Sequence, residues 1–264
     1  MRRRALGLLL AVLAVAGCGD PDTHGATILR YDIDSKFVNR SLPQVAIKPA
    51  GDSDGRPLLV FLHGRQHGDD GEEAQLNDEW MAALADLGDD APAVVMPNGS
   101  QSSYWHDRGS GAWAKYVLRE VIPEAIERLH ADPSRVAIGG ISMGGYGAFR
   151  LGLERRFCAV GGHSAAMWAT GGETPAGAFD SAEDFADNDV LGRARSEGAA
   201  AYHGAKLWLD GGDADPFRAA DEQLAAALGI RMRVWPGGHE HDYWVAHYPA
   251  YVHFYATALK RCRS

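Results

Sequence analysis

The stretch from Arg135 to Phe149, RVAIGGISMGGYGAF, decides the fold of this chain. Its first half is a short apolar run typical of a strand that is buried on both faces, and its second half has the pattern of a helix. Between them, residues 140–144 read Gly-Ile-Ser-Met-Gly and match Gly-x-Ser-x-Gly, which places a serine on a sharp turn between a strand and a helix. The small glycines leave room for that turn. The pattern predicts that Ser142 is a nucleophile raised out of a sheet.

Similar apolar runs, bounded by Gly or Pro, recur along the chain and alternate with helical patterns. The predicted strands are residues 26–35, 44–48, 57–62, 93–96, 136–141, 158–162, 206–209 and 232–235, and the predicted helices are residues 73–87, 112–130 with a kink at Pro123, 143–153, 216–228 and 241–261. We expect a hairpin at the start and then a mostly parallel central sheet flanked by helices, which is an α/β fold. Residues 166–204 are too long for an ordinary loop and predict an insertion over the active site.

Composition excludes several classes of protein. The chain has 264 residues, of which 46% are hydrophobic, so it can bury one sizeable core, and no linker divides residues 26–264. Its 35 acidic and 26 basic side chains give a net charge of −9, which argues against a nucleic-acid partner. The three cysteines lack the spacing of a structural zinc site. We expect neither a metal nor an organic cofactor, and the sequence leaves the oligomeric state open.

The N-terminus has the features of an export signal. Three arginines, Arg2 to Arg4, precede an apolar run over residues 5–16, which is shorter than the roughly 20 residues that span a bilayer. Residues 15–18, Val-Ala-Gly-Cys, resemble a bacterial lipobox. The resemblance implies a signal peptide over residues 1–17, a lipid on Cys18 and a tether over residues 18–25, with the protein anchored at the extracytoplasmic face of a membrane. An ordinary secretory signal remains the alternative.

Two further cysteines, Cys158 and Cys262, would lie in an oxidising compartment if the protein is exported. Such compartments allow disulfides to form and persist. Cys158 also stands in an apolar stretch, where a free cysteine behaves as a small buried hydrophobe. The sequence therefore leaves a disulfide and two separate thiols equally open.

A serine nucleophile needs a base, and candidates follow two later strands. Asp210, Asp213 and Asp215 come at or after the strand 206–209, and His239 follows the strand 232–235. Carboxyl ends of parallel strands meet at one edge of a sheet, where ligands bind. The order serine, acid, histidine is that of α/β-hydrolases.

Three segments of the chain resemble the esterase D-like "putative esterase" family of α/β-hydrolases. This family includes S-formylglutathione hydrolases, feruloyl and acetyl esterases and mycolyltransferases. The segments are residues 135–149, residues 210–217 (DGGDADPF), and the sequence Gly-Gly-His at residues 237–239 with Trp244 five residues further on. The resemblance extends over about residues 57–260 and implies an α/β-hydrolase domain.

The resemblance also implies roles for particular residues. Ser142 matches the nucleophile, Asp215 matches the acid of a Gly-x-x-Asp pattern, and His239 matches the base. Asp213 and His241 are the alternatives for the acid and the base. The order of these residues along the chain is the same in both assignments, so the sequence does not separate them.

Two backbone amides, those of Arg65 and Met143, occupy the positions expected for an oxyanion hole. The side chain of Arg65 is long enough to reach a carboxylate or phosphate of a substrate. Other side chains that follow strands are candidates for lining a substrate pocket, although aromatic residues in such loops are as often simple packing. These candidates are Tyr104, Trp105, His106 and His163.

The sequence thus predicts a serine carboxylesterase that works through an acyl-enzyme outside the cytoplasm. Its substrate would be a small-molecule or cell-envelope ester. One alternative is an acyltransferase to a cell-envelope alcohol. Another is a lipid-anchored binding module without activity, because a fold alone does not prove a function.

Overall fold

The computed structural model describes residues 20–52, 54–66, 68 and 70–262. The predicted signal peptide and Cys18 lie outside these residues. The strands are β1 (Thr27–Ser35), β2 (Arg40–Lys48), β3 (Pro57–Leu62), β4 (Ala93–Pro97), β5 (Asp107–Arg108), β6 (Gly111–Ala112), β7 (Asp132–Ile141), β8 (Ala159–His163), β9 (Lys206–Gly212) and β10 (Arg233–Trp235). The helices are α1 (Asp78–Ala85), α2 (Trp113–Tyr116), α3 (Ile122–Leu129), α4 (Met143–Gly152), α5 (Ala182–Asp187), α6 (Val190–Glu197), α7 (Arg218–Leu228) and α8 (His241–Arg261). Within this part of the chain, no helix has both the length and the apolarity needed to cross a bilayer.

Eight of the strands form one sheet in the order β1-β2-β4-β3-β7-β8-β9-β10. β1 and β2 form the expected hairpin, and β2 also runs antiparallel to β4. The six strands from β4 to β10 in this order are parallel. The predicted fold class, a mostly parallel sheet flanked by helices, is therefore confirmed, and the carboxyl ends of the parallel strands share one edge.

The two faces of the sheet carry separate apolar cores. Leu58 and Val60 of β3 face one core and Leu59 and Phe61 face the other, because successive side chains of a strand point to opposite faces. Helices α3, α4, α6 and α7 cover the first face, whereas α1 and α8 cover the second. The continuous apolar run of β3 thus reflects burial on both faces.

Two predicted helices are shorter or more broken than their apolar patterns indicate. The helix expected at residues 73–87 begins only at α1, because the side chain of Asn77 accepts the Trp80 N–H at 2.9 Å and fixes the first turn there. The helix expected at residues 112–130 consists of α2, a π-helical turn over Val117–Val121, and α3. Pro123 has no N–H to donate to the carbonyl four residues earlier, and it stands at the second position of α3, directly after the π-helical turn.

A disulfide joins Cys158 and Cys262 and decides the question that the sequence leaves open. Cys158 stands immediately before β8, and Cys262 directly follows α8. The bond therefore fastens the far end of the last helix to the centre of the sheet. The beginning of the same helix lies beside the loop that carries His239.

Candidate active site

Ser142 lies on the sharp turn between β7 and α4 that its sequence pattern predicts. Its backbone angles, φ 55° and ψ −116°, belong to a strained conformation for a residue with a side chain. The turn is crowded by the end of β3, since a Cβ atom at Gly144 would stand 2.0 Å from the Leu62 carbonyl oxygen. The second glycine of the pattern is thus required by the close approach of two backbones.

The structure brings Ser142, His239 and Asp215 together, although they come from three separate loops. His239 Nε2 lies 2.8 Å from Ser142 Oγ, and His239 Nδ1 lies 3.0 Å from Asp215 Oδ2. Ser142 is 9% exposed, the His239 side chain is 21% exposed, and the Asp215 carboxylate is fully enclosed. The hydroxyl therefore remains reachable from solvent while the carboxylate behind the imidazole is shielded.

The Asp215 carboxylate is held in its ionised form. Burial alone would raise its pKa, but hydrogen bonds from His239 and from the Phe217 N–H, at 2.8 Å, outweigh burial and lower the pKa. An ionised carboxylate accepts the Nδ1 proton of His239 and leaves Nε2 free to accept the proton of Ser142. The pair thus fixes the tautomer that a general base needs.

The two alternative residues occupy other positions. Asp213 accepts a hydrogen bond from the Gly237 N–H at 3.0 Å and so supports the loop that carries His239. His241 is the exposed first residue of α8. The described contacts connect neither of these side chains to Ser142.

The Arg65 amide follows a glycine that lies against Ser142: a Cβ atom at Gly64 would stand 3.3 Å from the Ser142 Cβ. The buried imidazole of His63 holds this loop. Its Nε2 accepts the Gly99 N–H at 2.8 Å, so its Nδ1–H donates to the Gly64 carbonyl at 2.6 Å. In a trans peptide the carbonyl and the next N–H point in opposite directions, and this bond therefore fixes the direction of the Arg65 N–H.

This arrangement requires a neutral imidazole, because Nε2 of His63 must accept a hydrogen bond. Burial lowers the pKa of His63 to about 4, which keeps it neutral at neutral pH. The second amide, that of Met143, is the first of α4, and amides in a first turn have no partner within their helix. Within the described residues, no cluster of three or more His, Cys, Asp or Glu side chains is arranged to hold a metal ion.

Three of the four side chains predicted to line a pocket lie completely in the interior, and Tyr104 is only 3% exposed. The Trp105 ring fills the space that side chains at Gly99 and Gly147 would occupy. His106 Nε2 donates to the Asp184 carboxylate at 3.1 Å, and the ring stacks on Phe179. Sequence patterning places such residues near the strand ends but does not show which way their rings turn.

His106 and its neighbour Arg108 instead fasten the segment 166–204 to the body of the molecule. Arg108 donates to the Gly177 and Ala178 carbonyls at 2.9 and 2.8 Å and also pairs with Asp180. Burial lowers the pKa of His106. The segment that the sequence predicts to be an insertion is therefore anchored to the body by polar contacts between residues more than 60 positions apart in the chain.

Two aromatic rings, both from segments that carry the family resemblance, flank the imidazole of His239. Phe217 and Trp244 both meet it edge-on, with ring centroids 5.0 and 5.2 Å away. Trp168, from the segment 166–204, packs on Phe217 and on Tyr104. The segment therefore contributes to the wall beside the base through Phe217.

A second histidine and aspartate, His163 and Asp210, form a pair on the other face of the sheet. His163 Nδ1 lies 2.6 Å from Asp210 Oδ1, and its Nε2 lies 2.9 Å from the Tyr255 hydroxyl. The carboxylate also accepts hydrogen bonds from Trp208, Tyr243 and Tyr251. Tyr243, His247, Tyr251 and Tyr255 recur every four residues along α8, and this polar aromatic stripe is the sequence signal that could have revealed the network.

Comparison with known proteins places these observations in context. The model of the family described as "Putative esterase" matches residues 38–255. No curated protein matches the chain. Among solved structures, a ferulic acid esterase is 21% identical with a TM-score of 0.75, covering 89% of this chain and 98% of that chain. An S-formylglutathione hydrolase from Agrobacterium tumefaciens is 19% identical with a TM-score of 0.70, covering 89% and 96%. The fluorophosphonate-binding serine hydrolase FphF from Staphylococcus aureus is 18% identical with a TM-score of 0.69, covering 88% and 98%.

Proposed function

Because the chain belongs to the putative esterase family and is a carboxylic ester hydrolase, we propose that Ser142 attacks the ester with His239 as base. Asp215 orients the imidazole and stabilises its protonated form. The observation that carries the proposal is the continuous set of hydrogen bonds from Asp215 through His239 to Ser142 Oγ. The strained, solvent-reachable turn that bears Ser142 supports it as well.

The reaction proceeds in two matched halves. His239 Nε2 takes the Ser142 proton as Oγ bonds to the carbonyl carbon, and the amides of Arg65 and Met143 donate to the oxyanion that forms. When this adduct collapses, the bond to the alcohol oxygen breaks and His239 returns the proton to it. Water then attacks the acyl-enzyme in the same way, which releases the acid and restores the Ser142 hydroxyl.

Replacement of Ser142 by alanine tests the proposal. Hydrolysis of p-nitrophenyl acetate should fall on the order of 10³-fold or more, while the thermal unfolding midpoint stays near that of the original protein. A fluorophosphonate probe should label Ser142, with the adduct located by peptide mass spectrometry. Undiminished hydrolysis by a folded Ser142→Ala protein, or labelling at another residue, would contradict the assignment. Failure of the original protein to react with either reagent would favour a binding module.

The same assay separates hydrolysis from acyl transfer. We expect water to be the main acceptor, so that added glycerol leaves the acid as the main product. Accumulation of a glycerol ester would instead favour an acyltransferase.

We also propose that the protein works outside the cytoplasm as a lipoprotein. The basic and apolar N-terminus and the lipobox-like residues 15–18 support this location. The disulfide between Cys158 and Cys262 supports it too, because disulfides persist in oxidising compartments. In a bacterial host, Cys18→Ser should abolish incorporation of radiolabelled palmitate. Unchanged labelling of that variant would contradict lipidation at Cys18.

A further inference from the structure

Arg65 places a positive charge on the loop that lies against Ser142. Its amide belongs to the loop that His63 holds, and the preceding residue, Gly64, lies against Ser142. The side chain of Arg65 itself is exposed. A long cationic side chain therefore starts within one residue of the contact with the nucleophile, from a backbone position that the fold holds in place.

The guanidinium of Arg65 has no ion-pair or hydrogen-bond partner among the described residues, unlike the other arginine of this region. Arg108 is fully engaged with Asp180 and with three backbone carbonyls. Both positive charges act on Tyr104, whose pKa burial raises and the two arginines oppose. The charge of Arg108 is balanced by Asp180, whereas no described carboxylate pairs with the guanidinium of Arg65.

An unpaired arginine at this place is well suited to an anion. Its planar group of donors matches a carboxylate or a phosphate, and hydrogen bonds between charged groups are stronger than those between neutral ones. The chain as a whole carries a net charge of −9 and would repel anions at long range. A cationic side chain that starts from the loop against Ser142 therefore offers an anion a favourable contact on a molecule whose net charge is negative.

We propose that Arg65 binds an anionic group of the substrate, so that the enzyme prefers esters carrying a carboxylate or phosphate over neutral esters of the same shape. This inference rests on the proposed function, since it specifies the substrate of the same site. In this proposal the backbone N–H of Arg65 donates to the oxyanion, and its side chain binds the anionic group of the substrate.

Two pairs of substrates test the proposal and distinguish the position of the anion. The first compares p-nitrophenyl hemiglutarate with p-nitrophenyl methyl glutarate, which differ only in the free carboxylate on the acyl side. The second compares the monoacetate of glycerol 3-phosphate with that of glycerol, which differ in the phosphate on the alcohol side. In at least one pair, kcat/KM should be about tenfold higher for the anionic ester, and the preference should shrink as salt is added.

The ratio within each pair is then measured for variants, because a ratio cancels any general loss in the oxyanion hole. Arg65→Gln should bring the ratio to about one, Arg65→Glu should reverse it, and Arg65→Lys should retain part of it. Arg261→Gln is the matched control for loss of one charge, since it stands at the opposite end of the 21-residue helix α8, about 30 Å from its start. Its ratio should equal that of the original protein.

A ratio of one or less in both pairs for the original protein would overturn the proposal, as would an unchanged ratio in Arg65→Gln. Either result would leave the proposed function standing if the neutral esters are hydrolysed and Ser142→Ala abolishes that hydrolysis. If no ester of either kind is hydrolysed through Ser142, the proposed function itself fails.

Discussion

Two hydrogen-bond networks in this molecule are built from the same kinds of group: an aspartate, a histidine and a hydroxyl. In one, Asp215 and His239 end at Ser142, with distances of 3.0 and 2.8 Å. In the other, Asp210 and His163 end at Tyr255, with distances of 2.6 and 2.9 Å. In both, Nδ1 of the histidine faces the carboxylate and Nε2 faces the hydroxyl. The residue types and the hydrogen-bond geometry of the two networks therefore do not distinguish a catalytic site from a structural one.

What separates them is the surroundings of the hydroxyl. Ser142 stands on a strained turn at the open edge of the sheet, whereas Tyr255 is fully buried. Its oxygen sits so close to the sheet that a Cβ atom at Gly139 or Gly161 would lie 1.8 or 2.1 Å from it. No ester can reach this oxygen, and burial raises the pKa of Tyr255 well above its ordinary value. The buried hydrogen-bond network of Asp210, His163 and Tyr255 holds α8 on the sheet. We expect the network that ends at Ser142 to perform the chemistry.

The largest difference should appear when each histidine is replaced by glutamine. His239→Gln should lower kcat on the order of 10⁴-fold or more, because glutamine cannot accept the Ser142 proton. Its unfolding midpoint should change little. His163→Gln should lower the unfolding midpoint by several degrees, with the rate per folded molecule largely retained. An equal loss of rate in the two variants would contradict the distinction between a catalytic and a structural hydrogen-bond network.

Replacing each aspartate by asparagine should lower the free energy of unfolding by different amounts. Asp210→Asn should lower it by about 3–5 kcal/mol, because it disrupts a fully buried pair with three further hydrogen-bond donors. Asp215→Asn should lower it far less while reducing kcat, since asparagine favours the wrong tautomer of His239. Urea unfolding and p-nitrophenyl acetate hydrolysis, measured on both variants, check this. Similar stability losses in the two variants would contradict the contrast between a structural Asp210 and a functional Asp215.

A smaller effect concerns pH and a third histidine, His63. Its pKa is lowered by burial to about 4 in the folded protein, against about 6.5 in an unfolded chain. The unfolded state therefore binds a proton first as the pH falls, and the contribution of neutral His63 to stability is lost between about pH 6.5 and 4. The free energy of unfolding should fall over this interval. In His63→Gln the free energy of unfolding should depend less steeply on pH, by the equivalent of up to one proton taken up on unfolding. An identical pH dependence in the two proteins would contradict the assignment.

Much of this arrangement could be predicted from local sequence. The turn at Ser142 follows from residues 140–144 alone, and the apolar runs locate the parallel strands whose ends carry Asp215 and His239. Because parallel strands place their carboxyl ends at one edge, the convergence of these residues needed no further information. The apolar runs and the order of the elements along the chain were enough to predict a hairpin followed by a mostly parallel sheet.

The parts that could not be predicted depend on contacts between distant segments. Arg108 meets Asp180 across 72 residues, and His163 meets Tyr255 across 92. The contact between Arg108 and Asp180 leaves no pattern in the chain near either partner, since its geometry depends on how loops pack. The stripe of Tyr243, His247, Tyr251 and Tyr255 indicates a polar aromatic face on α8, but it does not identify His163 as the residue that this face contacts. For the same reason the sequence did not show that His106 and Trp105 turn inward. It also did not separate Asp213 from Asp215, which stand two residues apart on the same loop.

The disulfide has a consequence for how the protein withstands proteolysis. Cys158 and Cys262 are separated by 104 residues, and this interval contains the segment 166–204 as well as Asp215 and His239. A single cut within that segment would leave Ser142 on one fragment and His239 on the other, with a covalent link between them. The nicked protein would run as one band on a gel without reductant and as two bands after reduction. Exposed chain can therefore be cleaved there without the two halves of the site drifting apart.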